Sequence, residues 1–138
     1  MKLPGKVLVT SSERSLAEKI PVTVAGPLGE KVSCYYGFLE ETKTAVMEMA
    51  SAAGITLVTK KDPLRASTYG VGEMIADALK RGCKNFMIGI GGSATNDGGI
   101  GMLKALGFEF FEDVLGIGEV TRGAFVGIRK RAFMMCLI

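Results

Sequence analysis

Apolar and polar positions alternate first in IPVTVAG (20–26). They alternate again in KVSCYYGFLE (31–40), after the Pro-x-Gly turn signal of PLGE. Period two with β-branched and aromatic residues predicts two strands closed into a hairpin, with Tyr35 and Tyr36 as packing residues. KTAVMEMA (43–50) predicts a third strand running into a short helix, EMASAAG, with Gly54 as its C′ stop. ITLVT (55–59) reads as strand or extended loop, and KKDPLRAST (60–68), with Pro63, as loop. The period then changes to 3.6 in STYGVGEMIADALKRG (67–82), where Val71, Met74, Ile75, Ala78 and Leu79 share a face. Ser67 or Thr68 can cap this helix, Lys80 and Arg81 suit its C-terminal dipole, and Gly82 ends it. KNFMIGI (84–90) is a short apolar run that predicts a buried strand. GIGMLKALG (99–107) predicts a second helix with Ile100, Leu103 and Leu106 on one face and Gly107 as its stop. FEFF (108–111) starts another strand.

Helix–strand–loop–helix–strand is the pattern of an α/β fold with a parallel pairing, and the hairpin makes the sheet mixed. The two ends are patterned weakly. KVLVT (6–10) reads as a short strand, and SSERSLAEK (11–19) as a helix start or a loose segment. The stretch from 112 to 138 ends on an apolar run without a polar close. Its last part, RGAFVGIRKRAFMMCLI, sets Arg122, Arg129, Lys130 and Arg131 beside Phe125, Val126, Phe133 and Leu137. That fits an amphipathic surface helix, an ordinary final helix, or truncated or out-of-frame sequence.

A length of 138 residues suits one domain, and 48% hydrophobic residues with a mean hydropathy of +0.31 suffice for a core. The net charge of +3 is small and scattered, so no nucleic-acid or membrane footprint shows. No run approaches the roughly 18 apolar residues of a membrane span. The N-terminus lacks the apolar h-region of a signal peptide, so the expected location is the cytoplasm. The three cysteines, Cys34, Cys83 and Cys136, form no CxxC pair, and histidine is absent. That argues against a structural zinc site and for buried, reduced thiols. It also removes every histidine-dependent acid–base scheme, leaving carboxylates, lysines, hydroxyls, backbone amides or an oxygen-held metal.

GIGGSATNDGG (89–99) concentrates the candidate chemistry. Glycines at 91, 92, 98 and 99 let the backbone approach a ligand, and Ser93 and Thr95 add hydroxyl donors. Between a strand's C-terminal end and a helix N-terminus, such a turn aims amides and the helix dipole at an anion. Asp97 stands out, because its charge repels phosphate. It makes sense as a Mg²⁺ ligand, as a carboxylate orienting a hydroxyl nucleophile, or as a cap of the next helix; Asn96 could equally cap it. The loop is neither a Walker A motif nor GxGxxG.

IGIGGSATNDGGIGMLKALGFEFF resembles the signature of the class I glycerate kinases, and three further blocks resemble that family in order. These are IPVTVAGPLGEKVSCYYGFL, TAVMEMASAAGITLV and DPLRASTYGVGEMIADALKRGCKNF. The resemblance spans 20–112, leaving 1–19 as a poorly matched segment and 113–138 as a divergent tail. The family's acidic and serine-containing N-terminal loops and its second glycine-rich region are not matched. The expectation is therefore an incomplete fragment of a two-domain, glycerate kinase-like α/β architecture. The resemblance implies transfer of the ATP γ-phosphate to a hydroxyl of glycerate, with ATP and Mg²⁺ as cofactors. It implies that Gly91, Gly92, Ser93, Thr95, Asn96 and Gly98 line the substrate and phosphate cleft, with Ser67 and Thr68 nearby. It makes Asp97 the proton-accepting or metal-orienting carboxylate. Glu48 and Glu73 also match, Glu48 as a site residue or a satisfied strand-end carboxylate, Glu73 as a structural first-turn acid. Lys60, Lys61 and Arg65 are candidate cations, or simply a solvated loop. The alternatives are a non-catalytic folded fragment and a nucleotide- or small-molecule-binding module. Apolar surface left open would favour a homodimer.

Overall fold

A computed structural model describes residues 17–112 and 119–121. KVLVT and the segment 122–138, with Cys136, lie outside them. Strands β1 (Glu18–Ala25) and β2 (Lys31–Leu39) form the hairpin read from the sequence, with Ile20 opposite Tyr36 and Val24 opposite Val32. The turn closes through Gly26 N–H to the Glu30 carbonyl, and the Glu30 carboxylate accepts from Leu28 N–H. Strand β3 (Thr44–Glu48) follows antiparallel to β2, and β4 (Asn85–Gly89) pairs parallel to β3. The sheet order is β1-β2-β3-β4. Alternation is clean in β1 and lost in β3, where Thr44 to Met47 are all buried.

Helix α1 (Ala50–Ala53) follows β3 and runs into a 3-10 turn over Ile55–Leu57, where the sequence suggested strand or extended loop. Gly54 ends α1 with extended backbone rather than the left-handed geometry of a C′ glycine. Glycine is needed there because a Cβ would overlap the Ala50 carbonyl. Helix α2 (Tyr69–Lys80) lays Val71, Met74, Ile75 and Ala78 on the sheet face formed by Ile20, Cys34, Tyr36, Phe38, Ala45, Met47, Phe86 and Ile88. Gly82, with φ 90°, stops it: Gly82 N–H bonds to the Leu79 carbonyl and Cys83 N–H to that of Ala78. This paired arrangement is the Schellman motif, and Gly107 repeats it after α3 (Ile100–Ala105). Strand β5 (Phe110–Glu112) does not join the sheet; it pairs antiparallel with β6 (Glu119–Thr121).

Two hydrogen bonds tie α2 to the sheet. Tyr36, fully buried, donates to Asp77 at 2.7 Å, and Asp77 also accepts from Arg81 at 3.0 Å. Glu73 accepts the outward N–H of Ala25 at 2.6 Å, closing part of the β1 edge; Pro21, on the same outward row, has no N–H to leave open. Glu73 thus closes the strand edge; it lies beyond the first turn of α2, so the first-turn position expected of it is not the one it holds. Tyr35 lies half-buried on the opposite face, with the Lys19 ammonium over its ring. Cys34 and Cys83 are both buried, and burial, with the Glu73 charge adding to it, pushes the Cys34 thiol up to about 11.

Candidate functional site

The glycine loop leaves the C-terminal end of β4 and is fastened at both ends. At its start, Gly89 accepts from Met49 N–H at 2.8 Å. In its middle it docks on the end of α1: Ile55 N–H reaches the Gly92 carbonyl and Ala94 N–H the Ala53 carbonyl, both at 2.8 Å. Ser93 and Thr95 share a hydroxyl–hydroxyl bond of 2.7 Å, and Ser93 Oγ also accepts from Thr95 N–H. One hydroxyl proton of the pair is thereby used, and the other is left to donate outward.

Asp97 fastens the far end. Its Oδ2 accepts from Thr68 N–H at 2.8 Å and Gly101 N–H at 3.0 Å, and its Oδ1 from Gly99 N–H at 3.2 Å. The Thr68 hydroxyl bonds the same carboxylate at 2.9 and 3.1 Å, and accepts from Met102 N–H at 2.9 Å. Partial burial alone would raise the Asp97 pKa. The Thr68 amide, the Thr68 hydroxyl and the Gly101 and Gly99 amides together outweigh it and hold the carboxyl below its usual range. The first turn of α3 is therefore capped from within the protein. Gly99, with φ 82°, occupies the N-cap position, and Asp97 caps from two residues before it.

This changes how the loop can meet an anion. The amides of α3's first turn, expected to face a ligand with the helix dipole, are taken by Asp97 and Thr68. The amides of Gly91, Gly92, Ser93, Asn96 and Gly98 have no acceptor among the described residues. Gly91, Gly92, Asn96 and Gly98 are exposed, Ser93 and Thr95 half-buried. These six stand together on the loop. Ser67 is half-buried and accepts from Tyr69 N–H at 3.1 Å. Thr68 departs from expectation. It is 1% exposed and its hydroxyl is fully engaged, so it reaches the loop through Asp97 and not a ligand directly. It is also no side-chain cap of its own helix.

The Mg²⁺ role read for Asp97 does not fit the donor set. Both its oxygens already accept N–H or O–H donors, and among the described residues no group of three or more acids or thiols could hold a metal. Glu48, by contrast, is exposed at the C-terminal end of β3, in register with Gly89 where the loop begins. Lys60, Lys61 and Arg65 are exposed and join no ion pair among the described residues.

Sequence reading missed why STYGVGE carries its glycines. A Cβ on Gly70 would overlap the Ala25 carbonyl. One on Gly72 would overlap the Met102 carbonyl and stand 2.6 Å from Ala105 Cβ. One on Gly101 would stand 2.7 Å from Tyr69 N and 2.8 Å from Asp97 Oδ2. The signal was present as two glycines inside a strongly periodic helix, which cost helix stability unless another backbone comes close. The helix face of α3 shifts in part: Leu106 packs against the core as expected, joined by Met102, and Gly101, Met102 and Ala105 meet α2, while Ile100 and Leu103 do not join the core cluster.

The family model described as "Glycerate kinase family" matches residues 5–121, running to either side of 20–112. A glycerate 2-kinase of Escherichia coli K12 is 56% identical over 61% of this chain and 23% of its own length. A glycerate kinase of Haemophilus influenzae is 48% identical over 74% of this chain and 27% of its own. A crystal structure assigned to a glycerate kinase 2 of Salmonella typhimurium LT2 superposes with a TM-score of 0.69 at 43% identity, covering 74% of this chain and 28% of that one. The chain spans about a quarter of the length of the relatives it matches. With the matched model covering most of its residues, the chain belongs to the glycerate kinase family.

Proposed function

We propose that this chain contributes the glycine-rich loop of a kinase site that transfers the γ-phosphate of ATP to a hydroxyl of glycerate. The observation that carries the reading is the loop itself. A fastened turn at the C-terminal end of β4 holds out a row of amides with no acceptor among the described residues, with the Ser93–Thr95 hydroxyl pair among them. Such a row suits the oxygens of a phosphate or of a substrate carboxylate. The names of the relatives supply the substrate.

In the reaction the glycerate hydroxyl oxygen attacks the γ-phosphorus. A new P–O bond forms as the bond to the bridging oxygen of ADP breaks, and the hydroxyl proton passes to a base. Loop amides and the free hydroxyl proton of the Ser93–Thr95 pair would neutralise charge on the transferred group or hold the glycerate carboxylate. Mg²⁺ would arrive with the ATP phosphates and supply charge neutralisation there. The role of Asp97 supported by its bonds is to hold the loop and α3 in place. The competing role, proton acceptor, draws on its partial exposure. Glu48 is the exposed carboxylate beside the loop's entry.

The same reading puts the protein in the cytoplasm with its nucleotide. Among the described residues, no helix is long and apolar enough to cross a membrane. Self-association would use exposed apolar side chains such as Leu64, which is 93% exposed, and Leu28; sedimentation velocity across concentrations decides it.

The test is thermal unfolding with and without MgATP plus D-glycerate, followed by an assay for phosphoglycerate. At about 100 times its dissociation constant a ligand stabilises by roughly 2.7 kcal/mol, a shift of several degrees. A shift that Gly91→Ala weakens supports the reading. A melting curve indifferent to both ligands would count against it and leave a folded module without this activity.

A further inference from the structure

Thr68 is the least exposed of the polar residues in and around the loop, yet through its amide and hydroxyl it bonds both the loop and the first turn of α3. Its amide and hydroxyl both donate to Asp97, and its oxygen accepts from Met102 N–H. It sits at the N-cap position of α2, an element fixed independently of the loop. Ser67 N–H bonds to the Pro27 carbonyl at 2.8 Å, Gly70 lies directly against the Ala25 carbonyl, and Glu73 holds the β1 edge. The loop's first half takes its position from β4 and α1. Its second half, Asn96 to Gly99, takes its position from Asp97, and Asp97 takes its position from Thr68 and the α3 amides.

We infer that Thr68 is a positioning residue for the ligand loop: through Asp97 it fixes the direction in which the Asn96 and Gly98 amides point. The inference rests on the proposed function for its consequence, that a ligand uses those amides, but its structural content stands apart from it. Three bonds at one buried residue join the start of α2, the end of the loop and the first turn of α3. Removing the hydroxyl leaves Asp97 one donor short and the Met102 amide without its acceptor. The carboxylate can then turn toward solvent and carry the loop with it. The shape of Thr68 is not what matters in this account. Its hydroxyl is, so a variant keeping the hydroxyl and losing the methyl should behave like the parent.

The experiment follows backbone amide resonances of the isotope-labelled 138-residue chain in three forms: parent, Thr68→Val and Thr68→Ser. Thr68→Val is expected to displace the Asn96 to Met102 resonances and to spread changes back toward Gly91. The titration midpoint of Asp97, read at the Gly99 and Gly101 amides, should rise as a donor is lost. Binding of D-glycerate with MgATP should weaken by about tenfold or more. Thr68→Ser should restore all three readouts. If Thr68→Val does not fold, Asp97→Asn replaces it, since the amide keeps one acceptor oxygen and the shape, and the same displacement of the loop is expected. The inference is overturned if a folded Thr68→Val leaves the loop resonances in place, or if Thr68→Ser is as disturbed as Thr68→Val. Should the ligands bind the parent not at all, the proposed function fails. The positioning role is then decided by the loop resonances and the Asp97 titration alone.

Discussion

The two ends of α2 solve the same problem in opposite ways. At the C-terminal end the unpaired carbonyls are satisfied by the next two residues, Gly82 and Cys83, through a local motif that needs nothing from the rest of the chain. At the N-terminal end Thr68 sits in the cap position, yet spends its hydroxyl on Asp97 and Met102, residues far along the sequence. One end is a stop. The other is a joint between two helices and the loop between them. A polar residue at a helix start is therefore no guarantee of a local cap; where its bonds go decides whether it is punctuation or machinery.

The contrast can be broken first at the glycines that bring the joint together. Gly72→Ala and Gly101→Ala each push a Cβ into neighbouring backbone or the Asp97 carboxylate, which does not yield cheaply. Each should cost about 3 kcal/mol in chemical denaturation, at the upper end for overpacking. A loss under about 0.5 kcal/mol, the range of ordinary surface changes, would mean that α2 and α3 are not in this close contact. Gly82→Ala tests the local end. There is open space for the Cβ, so the cost is the left-handed backbone alone, about 1–2 kcal/mol.

Acid sharpens the comparison further. The Asp97 carboxyl lies below its unfolded value, so its contribution is fully present above that value and is lost as pH falls through the lowered folded one. Stability against pH should fall more steeply in the acid range for the parent than for Asp97→Asn, and converge at the lowest pH where both fold. Parallel curves would remove Asp97 from the joint. The smallest expected effect is Gly91→Ala, which meets nothing within 4 Å and needs no positive φ. Its melting temperature should stay near the parent's, while ligand-induced stabilisation drops.

Much of this was open to reading in the sequence. Period two in IPVTVAG and KVSCYYGFLE gave the hairpin, and period 3.6 from Val71 to Leu79 gave α2, because each buries one face against a single partner. Gly82 announced its own stop. The glycine loop announced itself as a place of close approach. What stayed hidden depends on distant partners. ITLVT has strand-forming residues, but the backbone there turns to meet Gly92. FEFF forms its strand away from the main sheet. Thr68 looked like a ligand residue or a local cap, and Asp97 like a metal ligand, a catalytic carboxylate or a cap of the next helix, the last of which its bonds to the Gly99 and Gly101 amides match. Neither reading could know that the two residues would find each other across 29 positions.

The most direct test of the account is an amide-resolved titration of the chain with D-glycerate and MgATP. The account predicts changes centred on Gly91, Gly92, Ser93, Asn96 and Gly98, with the α3 amides of Gly101 and Met102 still bonded to Asp97 and Thr68. Changes centred instead on Gly101 and Met102, with Asp97 released, would contradict it. They would mean that the ligand takes the helix end after all and that the joint opens to admit it.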